Sequence, residues 1–218
     1  MRRREFLTLI ALAASGCAYP NTRDPLYRTY PTDVPEKYGV VFGSLGYLGR
    51  SPYTSTKLFY RAKGYELYRL FSYVHGSQRS GFPDFSEVET RGIVFFAQLV
   101  PAEYEIFGFE LSQFRAQFGS TTFRSNIAFS IPFSVAEGRA TYLGQFLSVA
   151  AYGKNIFGMN VPGGGYFVVS DQMERDIRLL QSQRTDFDFA NVHRALVNPK
   201  QLGLPFFREA LIEAPSNL

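Results

Sequence analysis

The 218-residue chain has no tryptophan, a single cysteine and only two histidines. One cysteine excludes an internal disulfide. The three Cys and His side chains together fall short of the four ligands a structural zinc site needs. Charged residues are sparse at 19%, and no basic face is clustered enough to track a phosphate backbone, so no nucleic-acid partner is expected. No window offers 18 uncharged apolar residues, which leaves no segment suited to cross hydrocarbon as a helix. Neither a G-x-S-x-G nucleophile elbow nor a Gly-x-x-x-x-Gly-Lys phosphate loop occurs. Aromatics are what the chain has in quantity: 22 Phe and 14 Tyr. So many rings cannot stay wet, so the bulk must fold. Its length fits one domain that buries roughly 70% of its unfolded surface.

The first sixteen residues read as an address rather than structure. Arg2, Arg3 and Arg4 precede an apolar run from Phe6 to Ala14, and Ser15-Gly16-Cys17 follow. A basic head, a short apolar stretch and small residues make a secretory signal. Ala14-Ser15-Gly16-Cys17 resembles the lipobox of bacterial lipoproteins, in which the cysteine becomes the acylated first residue of the mature chain. Arg3-Arg4-Glu5-Phe6-Leu7 resembles the twin-arginine export motif, with Arg2 where a Ser or Thr is usual. The resemblance implies lipidation at Cys17 and membrane attachment. Ala18, rather than Asp, after the cysteine resembles signals sorted to the outer membrane, facing the periplasm. Removing residues 1–16 takes away three Arg and one Glu and leaves 20 basic against 18 acidic side chains. Residues 17–36 contain four prolines and read as an extended tether.

Residues 37–170 read as a β-sandwich domain. The apolar run Tyr38–Leu45 predicts a strand. Strands near Thr56–Tyr60 and Tyr65–Phe71 form a hairpin about Lys63-Gly64. Gly92–Val100 is the most apolar run, short enough for a core strand. Pro101-Ala102 then turns the chain into a predicted hairpin with Glu103–Leu111. Neither face of that second strand is purely polar, which predicts double coverage or a bulge. Phe114 and Phe118 are spaced for a helical turn ended by Gly119. Asn126–Val135 and Arg139–Val149 are further strands, the latter with Ala140, Tyr142, Phe146 and Ser148 on one face. Gly163-Gly164-Gly165 reads as a loop before a strand at Tyr166–Ser170. Residues 171–218 read as a helical segment and a covering tail. Asp171 and Glu174 resemble a capping box, Met173, Ile177 and Leu180 form the apolar stripe, and Glu174, Arg175, Arg178 and Gln181 face water. A second short helix is expected over 186–196. The expected class is a mainly β, antiparallel sandwich with one or two short C-terminal helices.

Two stretches carry a family resemblance. Val100-Pro101-Ala102-Glu103-Tyr104 resembles a Leu-Pro-Gly-x-Tyr hairpin, and Gly138-Arg139-Ala140-Thr141-Tyr142-Leu143-Gly144 a Gly-Lys-x-x-Tyr-x-Gly strand, of Ig-like periplasmic lipoproteins of unknown function. Ala102 stands where glycine is usual and Arg139 replaces Lys. The resemblance implies an anchored Ig-like or prealbumin-like module without cofactor, metal or catalytic residues.

Chemistry-bearing groups are few. His75 sits in a polar loop and His193 beside an apolar stripe, each more consistent with structure than with a triad. Asp84, Glu87 and Glu89 lack EF-hand spacing. Glu103 and Glu105 share a strand face and would be the pair for a carboxylate-dependent hydrolase. The aromatics Tyr47, Tyr53, Tyr60 and Tyr68 are the candidates for an exposed binding surface, set against a simple Phe/Tyr core. The expected function is a non-enzymatic envelope lipoprotein that binds a protein partner or supports an assembly. The alternative is a periplasmic carrier of a small lipid or glycan, or a hydrolase.

Overall fold

The structure, a computed structural model, describes residues 38–75, 83–115, 119–183 and 189–210. The signal, the tether with Cys17, Phe118 and the segment around Asp186 lie outside the described residues. The rest is two β-sheets packed face to face, with a helix on the outer face of one.

The first sheet, sheet A, is built on β1 (Gly39–Leu48), β4 (Phe85–Ser86), β5 (Thr90–Leu99), β9 (Ala140–Lys154) and β10 (Asn160–Ser170). Two short C-terminal strands, β11 (Val192–Arg194) and β12 (Phe207–Glu209), complete it. The order is β12-β10-β9-β1-β5-β4, with β11 on β9. β11 pairs β9 at Ala140–Tyr142, and β10 takes over from Gln145 onward. The sheet is mixed rather than purely antiparallel, because β1 and β11 run parallel to β9 and β12 runs parallel to β10. Sheet B contains β2 (Ser55–Ala62), β3 (Tyr68–Val74), β6 (Ala102–Arg115), β7 (Gly119–Arg124) and β8 (Ile131–Val135), all antiparallel. β8 pairs the start of β6 and β7 its end.

β1 and β9 are central strands covered on both faces, which is why their sequences run apolar without alternating. Inside, rings from the two sheets meet: Phe71 stacks on Phe95 with centroids 4.0 Å apart, and Phe109 meets Phe167 edge-on at 5.3 Å. Outside sheet A, the helix α1 (Met173–Gln183) covers Val40, Phe42, Val94, Ala140 and Tyr142 with Met173, Ile177 and Leu180. Asp171 caps it by accepting the Met173 N–H at 3.0 Å. A single-turn helix, α2 (Pro199–Leu202), follows in the tail, started by the Asn198 side chain.

Several expectations need correction. β5 and β6 do not form a hairpin: they lie in different sheets, and Val100-Pro101 arches between them. The Tyr104 hydroxyl donates back to the Val100 carbonyl at 2.9 Å and pins that arch. The expected bulge is present in β6. Phe107 is the extra residue between Ile106, which faces Tyr60, and Gly108, which faces Phe59. It moves burial from Tyr104 and Ile106 to Phe109 and Leu111. A second bulge sits in β9, where Leu143 and Gly144 together oppose Gly43. Gly144 takes φ 107° there, a region L-residues avoid. As a result Ala140 and Tyr142 face α1, whereas Phe146 and Ser148 face sheet B, so the four do not share a face.

The Gly163–Gly165 run is not a loop. It lies inside β10, bulged at Gly163 against β9. A Cβ on Gly165 would come within 2.5 Å of Leu111 Cδ1, so close packing selects glycine there. The Phe114 region continues β6 rather than turning as a helix. At Val192–Arg194 the chain is strand, not helix. The C-terminal segment is therefore part of sheet A and not merely packed on it.

Candidate interaction surface

With α1 on sheet A, the outer face of sheet B is the broad sheet face that no described element covers. Its composition follows from strand parity. β2 sends Leu58, Tyr60 and Ala62 inward and Lys57, Phe59 and Arg61 outward. β3 sends Phe71 and Tyr73 inward and Tyr68 and Leu70 outward. β6 adds the bulged Phe107 and the carboxylates Glu103, Glu105 and Glu110.

The centre of this face is apolar. Phe59, Tyr68 and Phe107 meet pairwise at 5.5–6.4 Å between ring centroids. Leu70 lies directly across from Phe59. Tyr68 is 58% exposed and Leu70 44%. The rim is charged and ordered. Arg61 lies over the Phe107 ring at 4.4 Å and donates to Glu105 at 2.7 Å. The Ser130 hydroxyl, joined by Arg61, holds the Glu105 carboxyl below its ordinary range. Burial pushes the Glu110 carboxyl up, but Lys57, Arg124 and Ser112 outweigh it and hold it low. Lys57 donates to Glu110 at 2.6 Å and Arg124 at 2.9 Å. The face thus has an apolar centre bordered along β2, β6 and β7 by satisfied ion pairs.

Of the four tyrosines singled out from sequence, Tyr68 alone lies on this surface. Tyr60 is buried and stacks on Phe71 at 4.4 Å. Its register explains the correction: Tyr68 opposes Arg61, and partners across an antiparallel ladder share a face, so Tyr60 points the other way. Tyr53 is buried against Phe123, and its hydroxyl donates to the Gly164 carbonyl. Burial, with Tyr152 nearby, pushes that phenol up to about 12. Tyr47 is half-buried and packs on His75 at 4.5 Å. Phe59 and Phe107 were not among the sequence candidates. The outward parity of Phe59 with Lys57 and Arg61 was the available signal for the first; Phe107 depends on a bulge.

His75 is walled by Tyr47 and Tyr73, and its Nε2 sits 3.3 Å from Thr56 Oγ1. Thr56 in turn contacts Ser148 Oγ at 3.2 Å, and Ser148 donates to the Gly46 carbonyl. Burial pulls the His75 imidazole down to about 4, so the ring is neutral at ordinary pH. His193 is exposed on β11. Glu103 accepts from Ser134, and Glu105 from Arg61 and Ser130. Asp84 accepts the Val94 N–H at 2.7 Å, and Glu87 lies 3.6 Å from Arg175. Each of these carboxylates already has partners.

One site was not foreseen. Asp176 on α1 is fully buried. Ser44 donates to its Oδ2 at 2.7 Å and Tyr142 at 3.3 Å, while Arg175 Nη2 donates to Oδ1 at 2.7 Å. Arg175, expected in water, instead turns inward over the Phe85 ring at 4.0 Å. With its oxygen facing the guanidinium, Gln145 accepts two further Arg175 bonds at 2.9 and 3.0 Å. Burial pushes the Asp176 carboxyl up against the opposing pull of Ser44 and Arg175. It also pushes the Tyr142 phenol up. The signal for Asp176 was its position: 173, 176, 177 and 180 make one helical stripe, and an aspartate on it must be buried. A pocket of about 350 Å³ opens at the start of α1, lined by Asp171, Glu174, Arg175, Arg178 and Arg194 among others. Its lining holds neither His75 nor Glu103.

No protein family, curated protein or solved structure gives a match to the chain.

Proposed function

We propose that the chain is a non-enzymatic lipoprotein of a bacterial cell envelope. Acyl chains on Cys17 hold it to a membrane, the outer one by the residue at 18, and the outer face of sheet B docks a protein partner. The observation that carries this reading is the open patch of Phe59, Tyr68, Leu70 and Phe107 inside its ion-pair rim. The finer fold assignment, an Ig-like or prealbumin-like sandwich, belongs to the same proposal. It is supported by the Tyr104 hydroxyl returning to the Val100 carbonyl, the tyrosine corner of Greek-key sandwiches.

Site-specific photocrosslinking in intact cells tests the docking claim. A benzophenone side chain at Leu70 is expected to capture one discrete protein, and the same probe at exposed His193 is not. Identical products at both positions, or none at Leu70, would refute the docking surface. The anchor is tested apart from it. Cys17→Ala is expected to release the chain from the membrane fraction, and unchanged attachment would overturn the lipidation claim.

A further inference from the structure

The β9–β10 hairpin touches Tyr53 and Leu111 at Gly164 and Gly165. From there the paired segments Ala151–Lys154 and Asn160–Gly164 run on, for roughly 13 Å at about 3.3 Å per residue. The turn at the end is ordered. Asn155 Oδ1 accepts the N–H groups of Phe157 and Met159, each at 3.0 Å. The Asn155 N–H reaches the Met159 carbonyl at 3.0 Å, and Gly158 closes the turn with φ 76°.

This ordered turn holds large apolar side chains out in water. Ile156 is 93% exposed and Phe157 77%, and Met159 and Tyr152 stand beside them, each more than half exposed. Between Arg139 and Asp171 the only charged residue is Lys154, and there is no carboxylate. Phe114, exposed near the end of β6, marks the same end of the molecule, because β7 and β10 approach each other there.

We propose that this fingertip inserts into the surface of an anionic lipid bilayer. A convex apex fits a fluid hydrocarbon boundary, where apolar residues need go only about 5–10 Å deep. The backbone donors of Asn155, Phe157, Gly158 and Met159 are bonded within the turn, so Phe157 enters without dragging a bare amide after it. Tyr152 and Lys154 stand just behind the apex, where an amphipathic ring and a cation meet headgroups. The residues involved are separate from the sheet B patch, and the proposal does not require a lipid on Cys17.

The absence of tryptophan makes the test direct. Phe157→Trp in the full chain places a sole indole at the apex, and Tyr68→Trp places one on the sheet B face instead. Both are mixed with phosphatidylethanolamine–phosphatidylglycerol vesicles that carry brominated acyl chains. The Phe157→Trp emission is expected to shift to the blue and to be quenched at least about threefold more strongly than that of Tyr68→Trp. Adding Ile156→Glu to Phe157→Trp should remove most of that quenching while N-terminal attachment to the vesicles persists. Equal quenching at both positions, an unshifted apex emission on vesicle-bound chain, or no association with vesicles would each overturn the proposal. The Cys17→Ala fractionation reads the anchor alone, so the two claims fail separately.

Discussion

Protonating His75 should destabilise the fold, and the size of the effect follows from its surroundings. The ring is packed between Tyr47 and Tyr73 with Thr56 Oγ1 close to Nε2, and burial, opposed by a bond to the Tyr53 backbone, lowers its pKa from 6.5 to about 4. A base whose folded value is depressed takes up its proton first in the unfolded chain. Its contribution is therefore complete above pH 6.5 and is lost as pH falls toward about 4. Integrated from about pH 7.5 to about pH 4.5, these two values give a loss of roughly 2–3 kcal/mol, and partial solvent access trims it toward about 2. Carboxylates also titrate in this range, so the comparison must be with His75→Phe, which keeps the ring packing and removes the base. Urea unfolding of both chains at the two pH values is the assay. The stability difference between them should shift by about 2 kcal/mol in favour of His75→Phe at the lower pH. Parallel pH profiles would refute the burial argument.

Two further outcomes follow from buried contacts. Asp176→Ala leaves the Arg175 guanidinium with only the exposed Glu87 carboxylate and should cost about 3 kcal/mol or more, whereas replacing Arg175 and Asp176 together by Leu should recover at least half of that. Urea denaturation decides it, and a double variant no more stable than Asp176→Ala would contradict the account. Gly165→Ala should cost about 1–3 kcal/mol because its Cβ meets Leu111 and the Val149 carbonyl, while Gly163→Ala, whose Cβ meets only the Gly153 N at 3.8 Å, should change stability by less than about 0.5 kcal/mol in the same measurement.

The capped helix and the short hairpin were legible in the sequence; long-range pairing was not. The cap at Asp171 and the stripe of Met173, Ile177 and Leu180 depend on residues within one or two turns, and the helix is where they placed it. The β2–β3 hairpin was equally readable. By contrast, Val100-Pro101 looks the same locally whether β6 pairs β5 or crosses to the other sheet. That outcome depends on β1 taking the edge of β5. The bulges at Phe107 and Gly144 reverse side-chain parity in mid-strand; the mixed faces of β6 announced the first, but the second inverted the face expected for Phe146 and Ser148. Tyr60 failed for a related reason, since its face is set by the register against β3 rather than by its neighbours. The candidate surface was thus half legible: Tyr68 came from composition and alternation, but Phe107 required knowing where the ladder slips.

The buried ions explain why, among the described residues, α1 stays on sheet A and leaves the outer face of sheet B open. A helix held on sheet A by Met173, Ile177 and Leu180 alone could slide along an apolar surface, because such contacts are non-directional. Arg175 and Asp176 bind directional partners on two strands: Ser44 of β1, and Tyr142 and Gln145 of β9. The pair sits where burying charge gains little stability over apolar residues of the same size. Its contribution lies in fixing where α1 rests. The β9 bulge is part of that arrangement. It lets Tyr142 and Gln145 both face the helix although they are three residues apart, while Phe146 turns to the interior. Sheet A is thereby sealed by α1 and extended by β11 and β12. Among the described residues, the large apolar side chains exposed in groups are those of the sheet B face and of the β9–β10 apex, the two surfaces proposed to meet a protein and a bilayer.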